Sequence, residues 1–263
     1  MKLKAFFLLD KPRRFALQTV VLTAGLLITQ LIWDDYRFFM VLILSIVSYI
    51  LTAWSLSEDI KGVEWVFLFI LPVLFTASVS LFYFLLPGRW ITRLIITIIF
   101  AIGTYAIIKA ENIYNVAVER SIPLLRVAQT SGLVISLIVV FFISNIVFSL
   151  RVTFFQSMMI IIPIIFLLSL QSLWSIKLET KISRELIIYS FVASIGVGEL
   201  VTALSFWPVQ IAMAALLTSS IYYAIIGVIQ QYFLERLFVN SIKEYIFAFL
   251  FTLIITFIAT QWG

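Results

Sequence analysis

The chain has 263 residues, 63% of them apolar and 12% charged, with a net charge of +5 and a mean hydropathy of +1.16. A soluble domain of this size is about half apolar and about a quarter charged, so lipid rather than water must cover most of this molecule. Neither cysteine nor histidine occurs, which excludes disulfides, thiolate chemistry, imidazole metal ligands and a histidine base.

Apolar runs long enough to cross a hydrocarbon core of about 30 Å as helices recur along the whole sequence. They are continuous rather than alternating, which predicts helices and not the short strands of a β-barrel. Spans are predicted at residues 15–33, 38–55, 65–86, 91–108, 132–150, 153–175, 186–206, 209–230 and 246–262, forming one all-α polytopic transmembrane bundle. The first run, Phe15 to Trp33, has no small-residue exit and is longer than the apolar core of a signal peptide. It is expected to remain as a span.

Tight turns at 34–37, 87–90, 151–152 and 207–208 alternate with longer, more charged connections at 1–14, 56–64, 109–131, 176–185 and 231–245. Of the 18 Lys and Arg, 14 fall in the longer set; the short set holds Arg37, Arg89, Arg151 and, just inside its span, Arg93. Basic residues are retained on the cytoplasmic side. The N-terminus and all the longer connections are therefore predicted to be cytoplasmic, in a bacterial inner membrane, with a nearly bare outer face. Because the basic residues flank spans, they read as a topology signal, and membrane lipids rather than nucleic acid are the expected partners. The short turns group the first eight spans into four helical hairpins.

Features that can carry chemistry follow in chain order. Asp34 and Asp35, with Arg37, form an acidic pair that resembles the acids membrane glycosyltransferases use in a first external loop. The turn is too short for such a site, and a solvated turn is expected. Pro72 and Pro163 lie inside apolar runs and predict two unrelated kinks. Arg89 and Arg93 stand four apart after Pro87-Gly88, on one helix face at the outer boundary. That geometry suits a lipid phosphate, although Arg and Trp90 are also ordinary interfacial anchors.

The connection 109–131 is the most polar stretch. Glu111, Asn115, Glu119 and Arg126 share one side of a helical wheel, opposite Ile113, Ala117 and Leu124. This predicts an amphipathic helix at the cytoplasmic surface, or an extension of the neighbouring spans with Pro123 at the joint. It is the expected meeting place for a protein partner. The segments Leu81-Phe82-Tyr83-Phe84-Leu85-Leu86-Pro87-Gly88-Arg89-Trp90-Ile91-Thr92-Arg93-Leu94 and Glu111-Asn112-Ile113-Tyr114-Asn115-Val116 resemble an uncharacterised multi-pass membrane family of candidate-phyla bacteria. The resemblance covers the middle of the chain and implies a bacterial inner-membrane protein, with no activity attached.

Glu199, in the seventh span, is the one ionisable residue predicted deep within the bilayer, 13 residues or roughly 20 Å from Leu186. An acid at that depth is costly. It can couple a proton or cation to transport, or lock helix packing through a hydrogen bond. Ser190, Ser194, Gly198, Thr202 and Ser205 give its helix a small-residue face that allows close helix approach. Gly196 and Gly198 can also loosen the helix, as in the broken helices of transporters. Ser219, Ser220, Tyr222, Tyr223 and Asn145 are its candidate partners.

A transporter or permease with Glu199 as its ion- or proton-coupling acid is the leading expectation. A non-catalytic scaffold or complex subunit is the second, and a lipid-modifying enzyme the third. No catalytic residue, cofactor or metal ligand is assigned, and none of these features encodes an oligomeric state.

Overall fold

Lipid offers no hydrogen bonds, so each membrane-crossing segment must satisfy its own backbone. Accordingly, every regular element among the described residues of the computed structural model is a helix. Residues 10–29, 36–57, 60, 62–86, 90–117 and 124–260 are described; Asp34, Asp35 and Arg89 fall outside them, as does the side chain of Arg37. The helices are α1 (Lys11–Thr29), α2 (Arg37–Leu56), α3 (Glu64–Leu85), α4 (Trp90–Ala117), α5 (Leu125–Ser149), α6 (Phe154–Lys177), α7 (Arg184–Leu204), α8 (Ile211–Phe233) and α9 (Val239–Ile258).

Eight of them, α2 to α9, are long and apolar enough to cross a membrane. The chain is therefore a multi-pass, membrane-embedded helical protein. Helix α1 carries Lys11, Arg13 and Arg14 in its first turn and is not among the eight within the described residues.

Several helices run past the apolar stretches that predict them. Helix α4 continues to Ala117, α5 begins at Leu125 and α9 begins at Val239. Hydropathy detects only the hydrocarbon-depth part of a helix, whereas backbone hydrogen bonding carries the helix on into the polar interface. Local caps mark some ends. Thr153 and Gln156 form a reciprocal capping box at the start of α6, and the Ser183 hydroxyl accepts from the Leu186 amide at the start of α7.

The chain divides into two compact units, Met1–Ser131 and Gly132–Gly263. In the first, α1 packs on α2 and α4, α2 on α3, and α3 on α4, which closes a ring of four helices. Their register is antiparallel. Gln18 reaches Thr52 and Ser55, and Gly25 lies against Leu44. Ser48 reaches Pro72, Phe75 stacks on Phe100 at 5.6 Å, and Tyr83 lies 3.4 Å from Thr97. The starts of α1 and α3 thus share one end with the finishes of α2 and α4, the end that the charge distribution predicts to be cytoplasmic.

In the second unit α6 packs on α7, α7 and α6 on α8, and α8 on α9. Leu204, Ala214 and Leu217 form a buried apolar cluster with Phe148, Trp207 and Leu253 around it. Helix α9 is peripheral: Thr256 is its one buried residue.

Candidate functional site

The polar residues of the first unit face inward, and they do so at helical spacing. On α1, Arg14 and Gln18 are one turn apart; on α2, Ser48, Thr52 and Ser55 follow the same stripe; on α4, Thr104, Glu111 and Asn115 do likewise. All eight are buried. In lipid this is the favourable sense of amphipathicity, since apolar side chains face outward and polar ones must find partners within the bundle.

Gln18 holds two of the helices together. Its amide nitrogen donates to Thr52 Oγ1 at 2.8 Å, and its carbonyl oxygen accepts from Ser55 Oγ at 2.7 Å. One turn deeper, Pro72 lies within α3, where a proline cannot donate to the carbonyl four residues back. Its own carbonyl gathers two hydroxyls, Ser48 at 3.2 Å and Thr76 at 2.8 Å, which lie 3.1 Å from each other. Gln18, Ser48, Pro72, Phe75 and Thr104 line one crevice, too narrow to hold a water molecule. Thr104 Oγ1 has no hydrogen-bond partner among the described residues. These groups form a closed polar lane from mid-bundle toward one end.

At that end stand the ionisable groups. Glu111 is 0% exposed, Glu64 4% and Arg14 6%, and the Arg14 guanidinium lies 5.8 Å from the centre of the Trp54 ring. Glu111 sits one turn beyond Ile107, which lines the crevice. Asn115 is a further turn on. It is buried, and neither its amide oxygen nor its nitrogen has a hydrogen-bond partner among the described residues. Tyr114 anchors this part of α4, donating its hydroxyl to the Ala128 carbonyl at 2.7 Å.

Of the two forms the sequence allows for this connection, Lys109–Ala117 takes the second: it extends α4, and its polar face points into the bundle, whereas Arg126 on α5 is exposed. Residues 118–123, with Glu119 and Pro123, lie outside the described residues. Glu111 is fully enclosed and so joins Glu199 as a candidate acid held on a helix. Spacing carries the missed signal: Gln18 to Arg14, Ser55 to Ser48 and Glu111 to Thr104 are separated by whole turns. A scan for charge inside the apolar runs passes over it.

The residues expected around Glu199 lie on α7 of the second unit. Glu199 itself is exposed and forms no hydrogen bond or ion pair with any described residue. Ser194 and Thr202 donate to carbonyls of their own helix, Phe191 at 2.8 Å and Gly198 at 2.9 Å. Helix α7 is unbroken through Gly196 and Gly198. A Cβ at Gly198 would stand 2.7 Å from Ile162 Cγ1 of α6, and one at Gly196 would stand 3.1 Å from Ile225 Cδ1 of α8. Three of the five candidate partners are engaged elsewhere, Ser219 with the Ala215 carbonyl, Ser220 with Thr252 and Tyr223 against the Tyr245 ring, and neither Tyr222 nor the Asn145 side chain bonds to Glu199. Arg93 is half-buried at the start of α4; with Arg89 outside the described residues, the proposed phosphate pair has only this one placed member. Asp34 and Asp35, on which an enzyme reading would rest, are likewise outside them.

No curated protein and no solved structure matches the chain. One family model does, described as "Protein of unknown function (DUF5656)", and it spans residues 35–259. That range runs from α2 through α9 and takes in Glu64, Glu111, Asn115 and Glu199 alike. The chain belongs to this family of uncharacterised proteins.

Proposed function

We propose that the protein is a proton-coupled transporter of the bacterial inner membrane, with Glu111 as the carboxyl that takes up and releases the proton. One observation carries this reading: a fully enclosed acid stands at the end of a polar lane, one turn from a buried amide with no described partner. A buried acid in a membrane helix is costly and faces a bundle interior or pathway where it is used. The excess of Lys and Arg in the longer connections supports a cytoplasmic position for that end. The crevice is too narrow to hold a water molecule, so transport requires the helices that line it to part.

A second reading, a non-catalytic subunit of a larger membrane complex, is favoured by a different observation. Glu199 is exposed on α7, a helix long and apolar enough to cross a membrane, and α9 buries one residue. Both suit a protein covered by partners. Arg93 and the connection beyond Ala117 remain the proposed contacts for a lipid phosphate and a cytoplasmic partner.

The test uses the purified protein in liposomes containing a trapped pH indicator, with a potassium diffusion potential to drive protons inward. Faster acidification than in empty liposomes, lost in Glu111→Gln and kept in Glu199→Gln, supports the transporter. Proton entry equal to that of empty liposomes, or unchanged by Glu111→Gln, removes it and leaves the complex subunit.

A further inference from the structure

Between α2 and α3 the first unit carries an open groove of about 480 Å³. From α2 it is lined by Phe38, Val41, Leu42, Ser45, Ile46 and Tyr49, whose spacing of three and four residues makes a single helix face. Val73 and Leu81 of α3 complete it. Phe38, Leu42, Ile46 and Tyr49 are exposed and form its wall, whereas Val41 is buried and Ser45 and Val73 are half-buried on its floor. The depression follows from side-chain size, because the floor residues are smaller than those of the wall. None of them lines the polar crevice inside the bundle.

The antiparallel register of the Ser48–Pro72 contact brings Phe38 about level with Leu81, at the end that the charge distribution predicts to face outward. At the other end the Tyr49 ring rests on Phe69 at 4.7 Å, and Trp65 stacks on Phe69 at 5.6 Å. From Phe38 to Tyr49 the helix rises about 16 Å, close to one leaflet's share, about 15 Å, of the hydrocarbon core. Spread over that length, the groove has a mean cross-section of about 30 Å², which is about 6 Å across and roughly half the width of a helix. A helix of another protein or of a second copy is too thick to enter it. One extended hydrocarbon chain fits. The Ser45 hydroxyl is already spent on the Val41 carbonyl at 2.7 Å, so the floor offers a polar ligand no free donor. Arg37, the residue before Phe38, brings one positive charge to the outward end of α2.

We propose that this groove binds one acyl chain of an anionic phospholipid, drawn from the leaflet at the start of α2. The chain runs from Phe38 to Tyr49, and the phosphate sits at the Arg37 end of the helix. The site involves neither Glu111 nor Glu199, and it stands whether or not the protein moves protons.

The test places the full chain in nanodiscs of equal phosphatidylglycerol and phosphatidylcholine, releases it into mild detergent and counts retained phospholipids by native mass spectrometry. One retained phosphatidylglycerol per chain is expected. Ser45→Trp fills the floor and should cut that retention at least about tenfold. Ser45→Ala keeps the groove, and Ile43→Trp adds the same bulk at an exposed position outside it; both should retain the lipid. Arg37→Gln should keep a bound lipid and lose the preference for phosphatidylglycerol. Should Ser45→Trp not fold, Val73→Phe fills the same floor from α3. Retention that survives the filled floor, or falls equally in Ile43→Trp, overturns the proposal, as does a lipid shell that strips away with no single molecule retained. Equal retention of the two lipids, or a preference unchanged by Arg37→Gln, overturns the anionic assignment. A dimer that Ser45→Trp dissociates also overturns the proposal, by showing that a second copy covers the groove.

Discussion

Gln18 and Asn115 are both buried amides at the same end of the first unit, and their hydrogen bonding separates their roles. Gln18 satisfies Thr52 and Ser55 at once. Gln18→Ala therefore leaves two buried hydroxyls short of a partner and should cost about 2 kcal/mol, read as a lower Tm in detergent. Asn115 satisfies nothing among the described residues. Replacing it with the similarly sized Leu removes two desolvated polar atoms and should hold or raise stability by about 1 kcal/mol. If Asn115 serves the proton path of Glu111, the same variant slows proton entry into liposomes. A marked loss of Tm in Asn115→Leu would count against an unpaired amide. Glu111→Gln keeps the shape and removes the exchangeable proton, so a drop of at least about tenfold in proton entry is expected, equivalent to about 1.4 kcal/mol in the barrier. Folding, judged by elution profile and helix content, should be unaffected.

Close helix approach sets a different kind of constraint. Gly103 of α4 lies under the Phe75 ring, which is itself buried and stacked on Phe100. Any side chain there must displace an immobile ring, so Gly103→Val should cost about 1–3 kcal/mol. Gly227 of α8 is covered just as tightly by Tyr245, but that ring is half-buried on the peripheral α9 and can swing outward. Gly227→Val should thus be milder, and equal losses of Tm at the two sites would refute the distinction. This difference was not legible in the sequence, where both glycines are small residues in apolar runs. The spans themselves were legible, since about 20 apolar residues have few other fates. The extension of α4 was legible only as one of two readings, because Glu111 and Asn115 lower the hydropathy of a segment that is nevertheless enclosed by helices. Glu199 was visible as an acid, but which way a helix face points depends on its neighbours, and sequence spacing leaves that open. The lane of Gln18, Ser48, Thr52 and Thr104 had the right periodicity on each helix. What joined it was the antiparallel register of four helices, which no single helix encodes.

For the molecule as a whole, the proposed role of Glu111 depends on which side of the membrane its end of the bundle faces. The absence of native cysteine makes this directly testable, because every single-cysteine variant reports one position. In the first unit, Tyr36 lies at the start of α2 and Ser57 just past its end, both exposed. In the second, Arg151 and Pro208 are exposed in the turns flanking α6 and α7, while Lys181 and Lys243 are exposed at the opposite ends. The distribution of Lys and Arg predicts that a membrane-impermeant maleimide applied outside labels Tyr36→Cys, Arg151→Cys and Pro208→Cys. Ser57→Cys, Lys181→Cys and Lys243→Cys should label only after the membrane is opened. The two units test the prediction separately, since each carries reporters at both ends. A reversed pattern in the first unit would place Glu111 at the outer face. Proton exchange with the cytoplasm would then fail as a mechanism even if Glu111→Gln abolished flux, because the enclosed acid would open toward the other compartment.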